Sequence, residues 1–340
     1  MSQSEQHPEL PPITVVVIGR NEGERLRRCL ESVAKVNYPA LLVDVIYIDS
    51  RSSDGSADLA RSMGCETVVL DGPTTAARAR NAGWTRAKAD YVLFLDGDTI
   101  LHPDFLLAAL PPFEDTHLAG VGGNRRELDR KGSIYNAILD LDWDTPAGPK
   151  PNIGGDALVR VKALEAVGGF NADLIAGEEP EMSRRMRALG YTFLHIDAPM
   201  TLHDMDMHSF RQYWRRALRT GHAYAEISSI YARTPDPLWS RESQRNVIRG
   251  LFWTLIPVVC AALSLAFHSA SFILGFLAIA ALLIGRTVAK AMNKTPAWRE
   301  RLAYAVHSHL QQVPILLGQL RFWLFGQGRR KTGLIEYKTS

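Results

Sequence analysis

The chain has 340 residues, a formal net charge of +3 at pH 7, and 46% hydrophobic against 22% charged residues. That length holds one large domain or two modest ones with a buried core, and the near balance of charge gives no support for nucleic-acid binding. Cys29, Cys65 and Cys260 lie too far apart for a metal knuckle or a disulfide scaffold and suit a reducing compartment.

Met1 to Pro12 is polar, with no apolar stretch of the kind a secretory signal needs, and residues 1–11 read as a disordered N-terminus. Ile13 to Ile18 is a continuous β-branched run, suited to a strand buried on both faces. The loop Gly19 to Gly23 leads into a helix with Leu26, Leu30 and Val33 at helical spacing. Val43 to Ile48 is a second buried strand ending at Asp49. Ser52 to Ser56 is turn and cap chemistry, and the short helix after it stops at Gly64. Thr67 to Leu70 reads as a third strand, Thr74 to Ala87 as a helix, and Tyr91 to Leu95 as a fourth strand ending at Asp96. This β-α alternation predicts an α/β fold around a doubly wound, mostly parallel sheet.

The polar residues fall at one edge. Arg20, Asn21, Glu22, Asp49, Asp96 and Asp98 all follow the C-terminal ends of expected strands, where open parallel sheets form their ligand crevice. No G-x-G-x-x-G follows the first strand, which excludes the dinucleotide fingerprint. A crevice lined with carboxylates repels a bare diphosphate, and a divalent cation, Mg²⁺ or Mn²⁺, resolves that conflict by bridging the two. An Asp-Gly pair alone is ordinary turn chemistry. Asp96-Gly97-Asp98, emerging directly from a buried strand, is also what a metal-diphosphate site needs.

Further on, Asp140, Asp142 and Asp144 precede a Pro/Gly-rich loop through Gly155, read as an acceptor-side segment or an ordinary solvated loop. Glu178, Glu179 and Glu181 surround Pro180, a favoured first helical residue, and Met182, Met186 and Leu189 mark the apolar face of the helix that follows. Acids at the positive end of a helix stay ionised, the form a general base requires; helix capping alone also explains them. His203, Asp204, Asp206 and His208 form a cluster that is either a transition-metal set or a loop with one functional histidine.

Gly250 to Gly285 carries no Asp, Glu, Lys or Arg. One helix of that length would be roughly 54 Å long, against a bilayer core of about 30 Å. A break near His268-Ser269 gives two spans instead, at about 250–267 and 270–286. Arg241, Arg245 and Arg249 precede the run and Arg286, Lys290 and Lys294 follow it, which puts both outer ends and the N-terminal domain in the cytoplasm. The alternative is a buried helical hairpin in a soluble core. Val313 to Phe325 contains Gln319 and Arg321 and is followed by Arg329, Arg330 and Lys331. A helix over about 306–326 therefore reads as interfacial or re-entrant. The expected organisation is a catalytic domain over 12–235 and a membrane region over 236–340.

The segments VVVIGRNEGERLRRCLESV, VIYIDSRSSDGSADLAR, ARARNAGWTRAKADYVLFLDGDTILHPDFL and VGGFNADLIAGEEPEMSRRMRALGY resemble, in order and spacing, the family 2 glycosyltransferases of GT-A fold. The resemblance covers about Pro12 to Gly221. It implies that Arg20 and Glu22 touch the nucleoside of a nucleotide-sugar donor, and that Asp49 recognises its base, usually uracil. It implies a donor-side basic residue at Arg80, ribose and metal contacts at Asp96 and Asp98, and a metal-side histidine at His203. Glu179 matches the catalytic base, with Glu178 as the neighbouring candidate because aspartate is commoner at that position.

Two departures matter. Gln212-Tyr213-Trp214-Arg215-Arg216 resembles the Q-x-x-R-W motif of processive members, but Arg216 replaces the tryptophan, which argues for transfer of a single sugar. Arg215 either holds diphosphate or faces lipid headgroups. Ser50-Arg51 stands where an acid often follows the first aspartate, which loosens the preference for uridine. The expected protein is a membrane-anchored inverting glycosyltransferase acting on a lipid-linked or glycan acceptor at the cytoplasmic face. The alternatives are a catalytically silent nucleotide-sugar-binding membrane scaffold and a sugar-phosphate nucleotidyltransferase.

Overall fold

The computed structural model describes residues 10–72 and 74–326. Most of the expected disordered segment, and the basic residues Arg329, Arg330 and Lys331, lie outside the described residues. Pro11 is held in place: its carbonyl accepts a 2.5 Å hydrogen bond from the Tyr38 hydroxyl.

Among the described residues nine strands form one sheet: β1 (Ile13–Gly19), β2 (Val43–Asp49), β3 (Glu66–Val69), β4 (Tyr91–Asp96), β5 (Thr99–Leu101), β6 (Leu118–Glu127), β7 (Gly148–Lys150), β8 (Ala157–Arg160) and β9 (Thr192–His203). The helices up to the middle of the chain are α1 (Glu24–Ala34), α2 (Ser56–Ser62), α3 (Ala76–Trp84), α4 (Phe105–Ala109), α5 (Ile134–Trp143), α6 (Val161–Val167) and α7 (Glu178–Ala188). The C-terminal ones are α8 (Phe210–Tyr231), α9 (Ser240–Ala266), α10 (Ser271–Lys290), α11 (Trp298–Leu310) and α12 (Gln312–Arg321). The chain divides into two compact units. Of the described residues, the first holds those up to 126, 145–173 and 178–204; the second holds 127–144, 174–177 and those from 205 on.

The first unit contains the sheet. Its order is β3-β2-β1-β4-β8-β6-β9-β5, with β7 added on β9. The β1–β4 half is parallel, as the alternation predicts: β1 pairs in parallel with both β2 and β4, and β2 with β3. Beyond β4 the direction reverses, because β8 runs antiparallel to β4 and to β6, and β5 and β7 run antiparallel to β9. The sheet is therefore mixed. Residues of β1 alternate between two cores: Ile13, Val15 and Val17 pack with Leu26, Leu30 and Phe105 on one face, and Val16 and Ile18 pack with Ala77, Leu164 and Met182 on the other. Burial on both faces is why these strands read as unbroken apolar runs.

The second unit is helical around α5 and α8–α12. The expected boundary at 235/236 falls inside it, because α8 packs along α12. At the crossing of these two helices a Cβ on Gly221 would stand 2.0 Å from the Ile315 carbonyl oxygen, and one on Gly318 would stand 2.1 Å from that of Leu218. The backbones touch there, and no side chain fits. The expected single helix over 306–326 is instead the end of α11, a break at Gln311, and α12, whose Leu316 and Gln319 are buried. Gln319 accepts a 2.5 Å hydrogen bond from Ser243 on α9. Such an amide is a core residue satisfied by a helical neighbour, so its polarity carries no information about a membrane interface.

α9 and α10 are each long and apolar enough to cross a membrane, and only 6% of the most apolar window of each is buried. They are separated by a short turn at Phe267–Ala270, near the break expected at His268-Ser269. A hairpin in a soluble core would have its apolar faces covered; here Leu255, Val258, Leu265, Leu274, Leu277 and Leu282 are exposed.

Asp140 to Trp143, ahead of the expected loop, is the last turn of α5, and within that loop Gly148–Lys150 pairs with β9. Asp140 is buried because it accepts from the Glu127 amide (2.9 Å) and ion-pairs with Arg130 (3.1 Å).

Candidate active site

The site is built at the C-terminal ends of β1, β2 and β4 in the first unit. Two loops are stitched together there. The Asn21 amide donates to the Ser52 hydroxyl (2.9 Å), the Asn21 side-chain oxygen accepts from the Ser53 amide (2.8 Å), and the Gly23 amide donates to Ser56 (3.1 Å). Asn21 adopts a left-handed backbone (φ 55°), which asparagine tolerates better than most residues. Asp49 ends β2, buried, and accepts from the Ser52 amide (2.7 Å) and the Tyr47 hydroxyl (3.1 Å). Arg20 is exposed, whereas Glu22 is buried and paired with Arg25 at 2.9 Å.

The Asp96-Gly97-Asp98 turn is pinned to the end of β1 by a 2.7 Å bond from the Gly97 amide to the Ile18 carbonyl. β5 then leaves the turn and pairs with β9 in a register that sets Thr99 opposite His203. This brings Asp98 beside the imidazole, with Oδ1 3.6 Å from Nε2. Asp96, Asp98 and His203 each offer a ligand atom within 4.8 Å of the others, and form one candidate metal cluster among the described residues. Two carboxylates and an imidazole, with Asp98 and His203 almost fully buried, are a donor set suited to a divalent cation. The other members of the expected His/Asp cluster go elsewhere: Asp204 pairs with Arg28 (2.6 Å), and His208 with Asp206 (3.1 Å) at the surface.

Arg80, on α3, is 3% exposed and lies inside the acid cluster. Its guanidinium holds Asp96 at 2.9 Å, Glu178 at 2.8 Å and Glu179 at 3.1 Å. It also lies over the Phe170 ring, and its Nε is buried without a hydrogen-bond partner. The arginine thus ties the first turn of α7 to the end of β4. The loop at Gly155 passes directly over it: a Cβ there would meet Arg80 Nη2 at 2.6 Å and Glu179 Oε1 at 3.2 Å. Glu178 and Glu179 open α7, at the positive end of its dipole. Glu178 is nearly enclosed (6% side-chain exposure), and Glu179 keeps 18%. Burial, then the neighbouring Glu178 charge, push the Glu179 carboxyl up to about 7 against the opposing pull of Arg80.

Sequence reasoning missed a second layer beneath Asp96. Asp156 is buried, and its Oδ1 accepts from the Asp96 amide at 3.0 Å. Its Oδ2 accepts from Arg125 (2.8 Å) and from the Thr201 hydroxyl (3.0 Å). Burial raises its carboxyl above the usual range, with Arg125 opposing. The segment around it, Asn-Ile-Gly-Gly-Asp, carries only loop signals, so nothing in the sequence pointed to it. Arg215 lies on α8 in the second unit. Gln212, the first residue of the expected Q-x-x-R-W variant, closes a capping box with Ser209 at the start of α8. The Ser-x-x-Gln spacing was a readable signal for that role.

This arrangement of acids on a mixed α/β sheet defines a class. The chain matches Glycosyl transferase family group 2 over residues 91–288 and Glycosyl transferase family 2 over residues 14–167. It belongs to the family 2 glycosyltransferases. It is 28% identical over 199 residues to the glycosyltransferase AglE of Haloferax volcanii, covering 55% of this chain and 65% of that protein. It is 27% identical over 202 residues to a poly-β-1,6-N-acetyl-D-glucosamine synthase of Staphylococcus epidermidis, covering 55% and 48%. The chain thus spans about half to two thirds of the length of these relatives. A mannosyltransferase from Pyrobaculum calidifontis, solved with GDP-mannose and Mn²⁺, superimposes with a TM-score of 0.62 at 18% identity, over 92% of this chain and 88% of that one. The likeness establishes a shared GT-A-type fold.

Proposed function

We propose that the protein is an inverting glycosyltransferase that moves one sugar from a nucleotide-activated donor to an acceptor hydroxyl. The observation that carries this reading is the Asp96–Asp98–His203 cluster at the end of β4, joined through Arg80 to the carboxylates that open α7. Asp96, Asp98 and His203 would hold Mg²⁺ or Mn²⁺, which supplies charge neutralisation for a departing nucleoside diphosphate. Arg20, Glu22 and Asp49 line the nucleoside side, and the enclosure of Asp49 between Ser52 and Tyr47 suits recognition of a base edge. Arg80 holds the acids in register and does so from a buried position, so its contact with the donor runs through them. Glu179 takes the proton of the acceptor hydroxyl. That oxygen forms the new bond to the anomeric carbon as the bond to the diphosphate oxygen breaks, and the diphosphate leaves with the electron pair. A single displacement inverts the centre and needs no protein nucleophile. The greater exposure of Glu179 than of Glu178 supports its assignment as the base.

The exposed apolar surfaces of α9 and α10, and the cations flanking both, support a membrane anchor with the site on the cytoplasmic face. A lipid-linked or glycan acceptor follows from that placement. Family membership favours sugar transfer over nucleotidyl transfer. The test is equilibrium binding of UDP- and GDP-sugars with and without Mn²⁺, paired with donor hydrolysis. The expected result is Mn²⁺-dependent binding that Asp98→Ala abolishes, and hydrolysis that Glu179→Gln abolishes with binding retained. Binding unaffected by chelation of divalent ions would refute the proposal, and binding with no turnover in the unmutated protein would favour the scaffold reading.

A further inference from the structure

α11 turns a stripe of large apolar side chains to the surface of the second unit. Trp298, Leu302, Val306 and Leu310 recur every fourth residue and are 65%, 43%, 42% and 40% exposed. They form one wall of a groove of about 490 Å³, and Ile134 of α5 and Phe210 of α8, also close to half exposed, stand on the other walls. That volume lies in the range of ligand-binding clefts, about 300–1,000 Å³. The histidine in the lining is already committed, since His307 lies 3.1 Å from the Tyr213 hydroxyl and 3.3 Å from Asp142.

One permanent cation lines the groove. Arg299 is exposed, rests over the Trp298 ring at 5.6 Å and makes no ion pair among the described residues. It belongs to the first turn of α11, where Glu300 is taken up by Arg130 (2.6 Å) and Thr295 (2.7 Å); the N-cap, Ala297, offers no side-chain acceptor, so the positive end of the helix dipole adds to the Arg299 charge. The groove is also continuous with a candidate membrane span. α11 follows α10 directly after a short connection, and His309, beside the last residue of the stripe, is 3.2 Å from Thr287 of α10.

The occupant must offer hydrocarbon to the walls and an anion to Arg299. A second copy of this chain would present the same lining, which holds no Asp or Glu to meet Arg299. A lipid satisfies both demands. We propose that the groove binds an acyl chain of an anionic bilayer phospholipid, with the lipid phosphate held by Arg299 and the first turn of α11. This rests on the membrane part of the proposed function and is independent of sugar transfer. A bound lipid there fixes α11 at headgroup level and covers the apolar stripe.

The test is native mass spectrometry of the full chain in detergent, titrated with phosphatidylglycerol or phosphatidylcholine. The expected result is a retained phosphatidylglycerol preferred over phosphatidylcholine. Arg299→Glu, an exposed substitution that leaves the fold intact, removes the preference and weakens retention roughly tenfold. Ala303→Trp, which fills the groove floor, removes the retained lipid. Equal retention of both lipids by the unmutated protein and Arg299→Glu would overturn the proposal. A dimer that Ala303→Trp dissociates would overturn it too, by assigning the groove to a second copy. Retention as expected in a protein that transfers no sugar would leave this proposal standing and sink the enzymatic one.

Discussion

Replacing Arg80 with methionine tests whether the acid cluster depends on one buried cation. The guanidinium is 3% exposed and serves Glu178 at 6%, Glu179 at 18% and Asp96 at 30% side-chain exposure. Removing one member of a buried ion-paired set costs about 3–5 kcal/mol, because the charges left behind lose their partner without regaining water. Asp96 is close to a third exposed and is discounted, so the lower half of that range applies to the two glutamates. At about 2–4 °C per kcal/mol the melting temperature in detergent falls by roughly 6–16 °C at pH 8. The sign with pH follows from linkage. Burial and the Glu178 charge already push the Glu179 carboxyl up to about 7, above its unfolded value of about 4.3, and the variant loses the Arg80 charge that pulls it down, so stability is kept at low pH and lost as pH rises through the folded-state value. The gap between variant and unmutated protein should therefore be small at pH 5 and full at pH 8, read by thermal unfolding at both. Equal losses at the two pH values would refute the claim that Arg80 acts by neutralising the acids.

Three further outcomes are expected. Because Glu179 must be ionised to act as base and its carboxyl is pushed up to about 7, the transfer rate should rise with pH through about 7 and then level off; Glu179→Asp should keep the limb and Glu179→Gln should remove the activity. Asp156→Ala frees the Asp96 amide and strands Arg125, so metal affinity should fall by at least tenfold, whereas Asp156→Asn, which keeps an acceptor for that amide, should recover part of it in a Mn²⁺ titration. Gly221→Ala places a methyl where the Ile315 carbonyl stands, and should destabilise the protein by about 1–3 kcal/mol in denaturant unfolding without changing donor affinity.

Much of the parallel half of the sheet was legible because burial on both faces leaves a simple trace. Ile13 to Ile18 and Tyr91 to Leu95 carry hardly a polar residue, and the acids that follow them mark the strand ends. The antiparallel half leaves no such trace. β6 contains three glycines and two arginines, and β9 mixes Thr, His, Asp and Pro with its apolar residues, because their partners are set by long-range pairing and not by local pattern. The same split holds in the site. Asp49, Asp96 and Asp98 announced themselves by position, but Arg80 could be given a cluster of three carboxylates only once α3 and α7 were placed, since Glu178 lies 98 positions away along the chain. In the C-terminal region the turn at Phe267–Ala270 was readable from the length of the uncharged run. The burial of α12 was not, because an amide satisfied by Ser243 looks identical in sequence to one facing water.

The pairing of β5 with β9 has a consequence for how this protein tolerates change. His203 reaches Asp98 only because Leu101 lies opposite Thr201 and Thr99 opposite His203. Side chains on a strand alternate faces, so inserting or deleting a single residue in the last stretch of β9 would swing the imidazole to the far side of the ladder. Every carboxylate would be kept, and the candidate metal cluster would be reduced from three ligands to two. These few rungs are a gauge that the rest of the chain must respect.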